Sequence, residues 1–265
     1  MTSSSLEPRF IAVEGCIGAG KTSLVNLLGE QFDAQIVREV DDENPFIDKF
    51  YQDRDSFGFQ TQIFFLLNRY NQYMKLTQRD LFSSVVLVDY LFHRDRLFAA
   101  LNLKDQELKL YDQVYSLLSN KVPKPDLVIF LQASSDVLRS RIEKRGREYE
   151  AFMDPEYLDS VNKSFNNFFF YYSETPLLVI NTNEIDFVEK KCDLDELIIK
   201  INSHRIGREY YNPLGSCRPG TVKFLKASRL RSMGDLKQAP SASIPHTDAH
   251  ELLSAHRLPS LGFFY

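Results

Sequence analysis

Short apolar runs alternate with helical patterns along residues 10–215. The runs at residues 10–14, 34–40, 85–89, 126–132 and 176–181 predict five buried strands. Apolar spacing predicts helices at residues 23–32, 57–76, 105–118, 134–145, 155–172 and 194–201. Continuous apolar strands separated by helices are typical of a parallel sheet that is covered on both faces. The sequence therefore predicts an α/β fold with a parallel five-stranded sheet flanked by helices.

The alternating pattern ends near residue 215. Residues 216–265 contain four prolines and seven serines and have no clear apolar period. They carry seven basic and three acidic residues, a net charge of +4, whereas residues 1–215 have a net charge of −8. We therefore predict a domain of residues 1–215 followed by a basic tail of residues 216–265. The tail's composition is typical of a flexible segment, with a truncated second module or a segment that folds on a partner as alternatives.

Composition narrows the class of protein. The 265 residues are 43% hydrophobic and 26% charged, which is typical of a globular protein and too apolar for a disordered one. The net charge of −4 gives no indication of a nucleic-acid polymer as partner. Three scattered cysteines do not form a disulfide framework or a zinc site. No segment is apolar enough for a membrane span or a signal peptide, so we expect a cytoplasmic protein without a membrane partner.

A phosphate-binding loop follows the first predicted strand. The segment GCIGAGKT at residues 15–22 fits G-x-x-x-x-G-K-[ST] and precedes a predicted helix. Glycines let backbone N–H groups converge on phosphate oxygens, and the helix N-terminus favours negative charge. The strand and helix context disfavours a chance glycine-rich turn, so the sequence predicts nucleoside triphosphate binding. The predicted loop residues are Gly15, Gly18, Ala19, Gly20, Lys21 and Thr22, with Lys21 on the β- and γ-phosphates and the Thr22 hydroxyl on Mg²⁺.

A second metal ligand is predicted at the end of the third strand. Asp89 ends the run VVLVD, and strand carboxyl ends in open α/β sheets face the ligand crevice. A strand next to a phosphate-binding loop commonly carries such an acid. The alternative is an aspartate that caps the following turn.

A basic segment lies near residue 145. It contains five cationic side chains within nine residues: Arg139, Arg141, Lys144, Arg145 and Arg147. Phosphoryl transfer spreads negative charge over the γ-phosphate oxygens, and arginines from a closing segment stabilise that charge. A solvated helix face is the alternative, but the upstream loop and Gly146 as a hinge favour a lid.

The acceptor side is indicated by an acid and an aromatic cluster. Glu39 follows the second predicted strand, where a carboxylate could accept the proton of an acceptor hydroxyl. Phe57 and Phe59 stand beside Gln60, a combination that suits a flat heterocycle. For the two rings alone, packing in the core is the favoured interpretation, since aromatic stripes at helical spacing usually face inward.

Taken together, residues 10–215 resemble the deoxyribonucleoside kinase family, in particular its bacterial deoxyadenosine and deoxyguanosine kinase-like branch. The resemblance implies a P-loop kinase fold with a lid segment. It is carried by the segments IAVEGCIGAGKTSL, REVDDENPFIDKFY, FGFQTQIFFLLNRY, VDYLFHRDRLFA, RIEKRGREYE with PEYL, and LLVINTNEIDF, in that order.

The resemblance implies roles on the acceptor side. Glu39 matches the general base that acts on the deoxyribose 5′-hydroxyl. Tyr51 and Glu150 match residues that hold the 3′-hydroxyl. Gln60 matches the glutamine that hydrogen-bonds the base edge, and Phe59 is expected beside the base.

It also implies roles on the donor side. Asp89 matches the acid of the family's E/D-R-S motif, close to the metal. The expected lid arginines are Arg141, Arg145 and Arg147. The segment expected along the donor adenine includes Asn183, Glu184, Asp186 and Phe187.

Two positions depart from the family's pattern. The motif that begins at Asp89 continues with Tyr90 instead of arginine, and Arg94 and Arg96 are the alternatives for the missing cation. Asp95 matches an acid that helps to select the base.

The usual arginine partner of that acid falls at Leu67, with Arg69 two positions later. The resemblance alone therefore does not define the preferred base, and it favours purines only through the branch.

These observations predict a kinase that transfers the γ-phosphoryl group of ATP to the 5′-hydroxyl of a 2′-deoxynucleoside in nucleotide salvage. ATP is the expected donor, Mg²⁺ the expected cofactor and a homodimer the expected assembly. The alternatives are a thymidylate-type nucleoside monophosphate kinase and a non-catalytic nucleotide-binding subunit. Retention of Lys21, Thr22, Glu39 and Asp89 together disfavours the non-catalytic subunit.

Overall fold

The computed structural model describes residues 10–38, 43–77, 85–147, 150 and 153–213. The predicted tail of residues 216–265 and the predicted base Glu39 lie outside these ranges. The strands are β1 (Phe10–Gly15), β2 (Gln35–Val37), β3 (Val86–Val88), β4 (Leu127–Gln132), β5 (Leu177–Asn181) and β6 (Arg208–Tyr211). The helices are α1 (Lys21–Phe32), α2 (Ile47–Gln52), α3 (Arg54–Thr77), α4 (Arg94–Asn102), α5 (Asp105–Ser119), α6 (Ser135–Arg145), α7 (Pro155–Tyr171) and α8 (Lys191–Ser203).

The strands form one parallel sheet in the order β2-β3-β1-β4-β5-β6. This confirms the predicted α/β class, but the sheet has six strands, so the prediction of five was wrong. The missed strand, β6, has four residues that alternate between exposed and half-buried and lies at an edge of the sheet. Because it contains no continuous apolar run, the pattern that identifies buried strands does not reveal it.

Helices cover both faces of the sheet. In β3, Leu87 packs into a core cluster that includes residues of α1, α7 and α8. Its neighbours Val86 and Val88 pack into a second cluster with residues of α3, α4 and α5. Since successive strand residues point to opposite faces, the two clusters lie on opposite sides of the sheet. None of the helices in the described ranges is long and apolar enough to cross a membrane.

The carboxyl ends of the central strands bring the phosphate-binding loop and Asp89 together. Strands β1 and β3 are parallel neighbours, with Ala12 opposite Val88. The phosphate-binding loop leaves the end of β1, and Asp89 directly follows β3. The loop and this carboxylate therefore lie side by side at one edge of the sheet.

Candidate active site

The loop between β1 and α1 depends on its glycines. Gly18 and Gly20 have φ angles of 81° and 95°, in the left-handed region. A Cβ at Gly15 would lie 2.7 Å from the Leu131 carbonyl oxygen of β4. Lys21 begins α1, and its Nζ donates to the carbonyl oxygens of Gly15 at 3.0 Å and Cys16 at 3.1 Å. The loop thus curls around a buried ammonium group.

Burial also affects how readily this lysine ionises. Desolvation lowers the pKa of Lys21 from its ordinary value of 10.5 to about 8. The neighbouring Arg94 guanidinium lowers this pKa further, while the Glu14 carboxylate opposes the shift. A phosphate group placed against Nζ would stabilise the ammonium form, so the loop is suited to bind an anion.

Two oxygen ligands for a metal ion meet beside the loop. The Thr22 hydroxyl donates to Asp89 Oδ2 at 3.0 Å, and Asp89 is buried. Mg²⁺ in phosphate sites is usually held by one or two such oxygens together with water and phosphate. This pair therefore fits Mg²⁺, although the described ranges contain no group of three or more His, Cys, Asp or Glu side chains that could hold a metal ion.

Helix α6 carries two of the three predicted lid arginines to the same place. It ends at Arg145, and the φ of 67° at the following Gly146 lets the chain turn away. Arg141 donates from Nη1 to the Thr182 hydroxyl at 3.0 Å and from Nη2 to the Thr182 carbonyl at 2.7 Å. Arg145 forms a bidentate ion pair with Glu150. Two arginines of the basic segment, Arg141 and Arg145, are therefore held by hydrogen bonds at the site.

Two cavities meet at the phosphate-binding loop. The larger, of about 1010 Å³, lies on the donor side, between α6 and the segment after β5. The smaller, of about 290 Å³, lies on the acceptor side, between the loop and helices α2, α3 and α4. The residues that line both are Gly18, Lys21, Thr22, Arg145 and Arg147.

Most of the predicted donor residues line the larger cavity: Gly18, Gly20, Lys21, Thr22, Asn183, Glu184, Asp186 and Phe187, together with Arg141, Arg145 and Arg147. Gly15 and Ala19 are buried in the loop and do not line it. The Phe187 ring lies 3.1 Å from the position that a Cβ on Gly20 would occupy. The aromatic ring thus packs directly against the loop.

The acceptor cavity contains two of the predicted substrate residues, Tyr51 and Glu150. It does not contain Gln60, which is exposed, or Phe59, which packs against the core cluster of α3, α4 and α5. Instead Gln62 lines the cavity, and its buried Oε1 has no hydrogen-bond partner within the described residues. Residues two apart on a helix point in nearly opposite directions, so the structure contradicts the predicted position of this glutamine.

The predicted acid Asp95 is fully buried behind the cavity, where it forms an ion pair with Arg69. Arg69 lines the cavity, whereas Leu67 is 45% exposed and points elsewhere. The partner of Asp95 and the inward glutamine are thus both shifted by two residues along α3. Gln62 and Arg69 are seven residues apart, two helical turns, and this spacing is the sequence signal that identifies them as one face.

Arg94 and Arg96, the two alternatives for the cation missing at Tyr90, have different surroundings. Tyr90 is fully buried, and its hydroxyl donates to Gln72. Arg94 lines the acceptor cavity, whereas Arg96 is exposed and pairs with Asp112. Arg38, the last described residue before Glu39, also lines this cavity.

A family model described as deoxynucleoside kinase matches residues 11–205, which is most of the chain. The chain belongs to the deoxynucleoside kinase family. A deoxyguanosine kinase from Bacillus subtilis is 34% identical over 193 residues, covering 71% of this chain and 93% of that protein. A deoxyadenosine kinase from Dictyostelium discoideum is 29% identical over 231 residues, covering 85% of this chain and 92% of that protein.

Solved structures of the family are similar as well. A structure of deoxyadenosine kinase from M. mycoides with bound dATP has a TM-score of 0.64 and 26% identity, covering 73% of this chain and 98% of that one. These comparisons confirm the predicted family and P-loop kinase fold. They also confirm the predicted activity, that of an ATP-dependent phosphotransferase acting on deoxynucleosides.

Proposed function

We propose that this kinase transfers the γ-phosphoryl group of ATP to the 5′-hydroxyl of a purine 2′-deoxynucleoside. The observation that carries the proposal is the junction of two cavities at Lys21 and Thr22. The larger cavity suits a nucleoside triphosphate, and the smaller suits a nucleoside. A phosphoryl group at the junction can reach a hydroxyl on the acceptor side without crossing bulk water.

Charge at the junction is supplied by cations on both sides. Lys21 lies within the loop, and Arg145 and Arg147 line both cavities. We propose that these three groups stabilise the negative charge that develops on the transferred phosphoryl group. Arg141 lines only the donor cavity, so its proposed contribution is to hold α6 against Thr182 and the bound nucleotide.

We propose that Thr22 and Asp89 hold Mg²⁺, because their side-chain oxygens lie 3.0 Å apart where the two cavities meet. When bound there, Mg²⁺ would neutralise charge on the β- and γ-phosphates. The matched pair Thr22→Ser and Thr22→Val separates a ligand role from packing. Serine keeps the hydroxyl, whereas valine keeps the volume and removes the oxygen.

Glu39 is proposed as the general base that accepts the proton of the 5′-hydroxyl. Its support is the family resemblance and its position directly after Arg38, which lines the acceptor cavity. We expect Glu39→Gln to reduce turnover at least 100-fold while ATP binding changes less than threefold, because the amide cannot accept the proton. Full activity of this variant would contradict the role.

The remaining acceptor contacts are proposed by position. Tyr51 and Glu150 line the acceptor cavity and are proposed to hold the 3′-hydroxyl. Glu150 also pairs with Arg145, so a nucleoside in this cavity would contact a carboxylate that orients a lid arginine. Binding of the acceptor and positioning of the lid are therefore linked through one side chain.

The purine base is proposed to contact Gln62 and Arg69, with Asp95 fixing the guanidinium. A carboxamide offers both a donor and an acceptor to the base edge, and the Gln62 oxygen is unpaired within the described residues. The names of relatives, deoxyguanosine kinase from Bacillus subtilis and deoxyadenosine kinase from Dictyostelium discoideum, agree with a purine preference.

The proposal is tested by measuring ADP release with ATP and Mg²⁺ in the presence of each of five acceptors: deoxyadenosine, deoxyguanosine, deoxycytidine, thymidine and thymidine monophosphate. We expect the two purine deoxynucleosides to give the highest kcat/KM. Preference for deoxycytidine or thymidine would contradict the purine assignment. Stimulation by thymidine monophosphate alone would indicate a monophosphate kinase, and ATP binding without ADP release would indicate a non-catalytic subunit.

We also propose a cytoplasmic homodimer. Helices α3 and α5 contact each other, and both carry exposed leucines: Leu67 is 45%, Leu110 51% and Leu117 72% exposed. Apolar side chains of this size are commonly covered by a partner subunit. The mass of one chain is 30.8 kDa, and sedimentation equilibrium is expected to give twice this mass. A monomer at micromolar concentration would contradict it, and cell fractionation tests the location.

A further inference from the structure

We propose that Arg94 contacts the acceptor hydroxyl oxygen during phosphoryl transfer and that Glu14 positions its guanidinium. This inference rests on the proposed function of the two cavities. Arg94 begins α4, is 5% exposed and lines the acceptor cavity together with Lys21 and Asp89. It therefore lies at the phosphoryl-transfer end of that cavity.

A shared hydrogen-bond acceptor fixes Arg94 beside the phosphate-binding lysine. Arg94 Nη1 lies 3.2 Å from the Gly15 carbonyl oxygen, and Lys21 Nζ lies 3.0 Å from the same oxygen. Two cations that donate to one oxygen are close neighbours. A group held by the guanidinium is consequently adjacent to a phosphate held by Lys21.

Glu14 holds the guanidinium in this position. Its Oε1 accepts from Arg94 Nη1 at 2.6 Å, and the same carboxylate accepts from the backbone N–H of Gly15 at 3.0 Å and of Leu91 at 2.7 Å. The carboxylate therefore joins the start of the phosphate-binding loop to the turn between β3 and α4. Glu14 is 1% exposed, so this charged pair is shielded from water.

Aromatic rings complete the setting of Arg94. The guanidinium carbon lies 5.0 Å from the ring centroid of Phe98 and 5.4 Å from that of Phe165. An ion pair and two rings restrict the rotamers of the arginine before any substrate binds. Such preorganisation is what makes a hydrogen-bond donor effective when charge develops on a reacting oxygen.

Three other arginines that line the acceptor cavity already pair with protein side chains. Arg69 pairs with Asp95, Arg145 with Glu150, and Arg38 with Asn26. Arg96, the other arginine of α4, is exposed and donates to Asp112 at 3.0 Å.

The chemistry of arginine suits an oxygen that must lose its proton elsewhere. In the transfer, the acceptor oxygen gives its proton to a carboxylate, proposed to be Glu39, and forms a bond to the γ-phosphorus. The bond from that phosphorus to the β–γ bridging oxygen breaks, and ADP leaves. Because a guanidinium only donates hydrogen bonds, it contacts a lone pair of the oxygen and leaves the hydroxyl proton available to the general base. Arg94 keeps its own protons throughout.

The test compares Arg94→Lys with Arg96→Lys, the same change two residues away on one helix. Lysine keeps the charge beside Glu14 and removes the planar fork of donors. We expect R94K to lower kcat at least tenfold with the ATP Kd within threefold of wild type. R96K should keep both values within threefold. Equal kcat for R94K and wild type, with intact folding, would overturn the inference.

A second variant removes the guanidinium charge of Arg94 together with the carboxylate charge of Glu14, so neither charge is left buried without a partner. We expect this double variant, E14Q/R94Q, to show a cooperative melting transition and to lose kcat about 100-fold or more, with ATP binding retained. Loss of ATP binding in parallel with kcat would instead assign the pair to the loop structure and overturn a contact with the acceptor. Failure of the proposed function is distinguishable, because wild-type enzyme would then release no ADP with any deoxynucleoside.

Discussion

Gln62 is the residue on which the proposed recognition of the base most depends. Its side chain is buried at the acceptor cavity, whereas Gln60 is exposed on another face of α3. We expect Gln62→Ala to lower kcat/KM for the preferred deoxynucleoside at least 30-fold, because a buried hydrogen-bonding contact to the base is lost. Gln60→Ala, the matched control, should stay within twofold of wild type. The reverse ranking in steady-state kinetics would restore the position that the resemblance implies.

Lys21 gives the site a predictable dependence on pH. Its folded-state pKa of about 8 lies below the ordinary value of 10.5, so the free enzyme loses this charge as the pH rises through 8. Protonated Lys21 attracts phosphate, and we therefore expect ATP affinity to be highest below pH 8 and to fall about tenfold by pH 9.5. Calorimetric titration of ATP measures this. Lys21→Met should bind weakly at both pH values, and an unchanged pH profile in that variant would contradict the assignment.

The same lysine affects stability with the opposite sign. Because folding lowers the pKa of Lys21, the folded state holds this proton less tightly than the unfolded chain does. The contribution of Lys21 to the free energy of unfolding therefore rises with pH between about 8 and 10.5. ATP affinity is therefore expected to be highest below pH 8, whereas the contribution of Lys21 to the free energy of unfolding is largest above it.

At the scale of elements, the phosphate-binding loop is the most demanding piece of backbone. Gly20 has a φ of 95°, and a Cβ there would lie 3.1 Å from the Phe187 ring. We expect Gly20→Ala to weaken ATP binding at least tenfold, because the loop must shift away from that ring. Gly207→Ala is the matched control: its φ is 68°, but no atom of the described residues lies within 4 Å of an added Cβ.

Both glycine variants should lose about 1–2 kcal/mol of stability from the strained backbone. Only Gly20→Ala should lose ATP affinity. Equal ATP affinity of the two variants, measured by titration at 25 °C, would contradict a role for close packing between the loop and Phe187.

Elements with strong local signals were predictable from the sequence. The apolar runs of β1 and β4 and the motif at residues 15–22 identify the central strands, the loop and α1. The predicted helix at residues 134–145 corresponds to α6, and the Ser134 hydroxyl just before it accepts from the Val137 N–H. These features depend on neighbours in the sequence, so sequence alone identifies them.

Features that depend on distant contacts were not predictable. Strand β6 is defined by pairing with β5 and not by its own hydrophobicity. The rotation of α3 decides whether Gln60 or Gln62 faces the cavity, and that rotation is set by packing against the sheet. The Glu14–Arg94 pair joins residues 80 positions apart, which no local pattern can connect.

At the scale of the whole molecule, charge is organised locally. Residues 1–215 have a net charge of −8, yet the cavities are lined by Lys21 and several arginines. A negative body repels polyanionic ATP at long range, so binding must come from these short-range cations. Among these cations Lys21 is buried, and its contacts are screened less by salt than those of surface charges.

The basic tail of residues 216–265 is predicted to be dispensable for catalysis. The last of the described strands, β6, ends at Tyr211, so a chain that stops at residue 215 keeps the whole described sheet. We expect this truncation to retain kcat and both KM values within twofold. A folded truncation, judged by its melting transition, that has lost activity would contradict the boundary at residue 215.

The most direct test of the central claim follows the phosphoryl group itself. ATP labelled at the γ-phosphate is incubated with Mg²⁺, the enzyme and either deoxyadenosine or 2′,5′-dideoxyadenosine, and the products are separated and identified by mass spectrometry. We predict labelled deoxyadenosine 5′-monophosphate in stoichiometric amount with ADP, and no labelled nucleotide from the analogue that lacks the 5′-hydroxyl. Label transferred to the analogue, or ADP formed with release of free phosphate only, would contradict the claim that the two cavities join ATP to a 5′-hydroxyl.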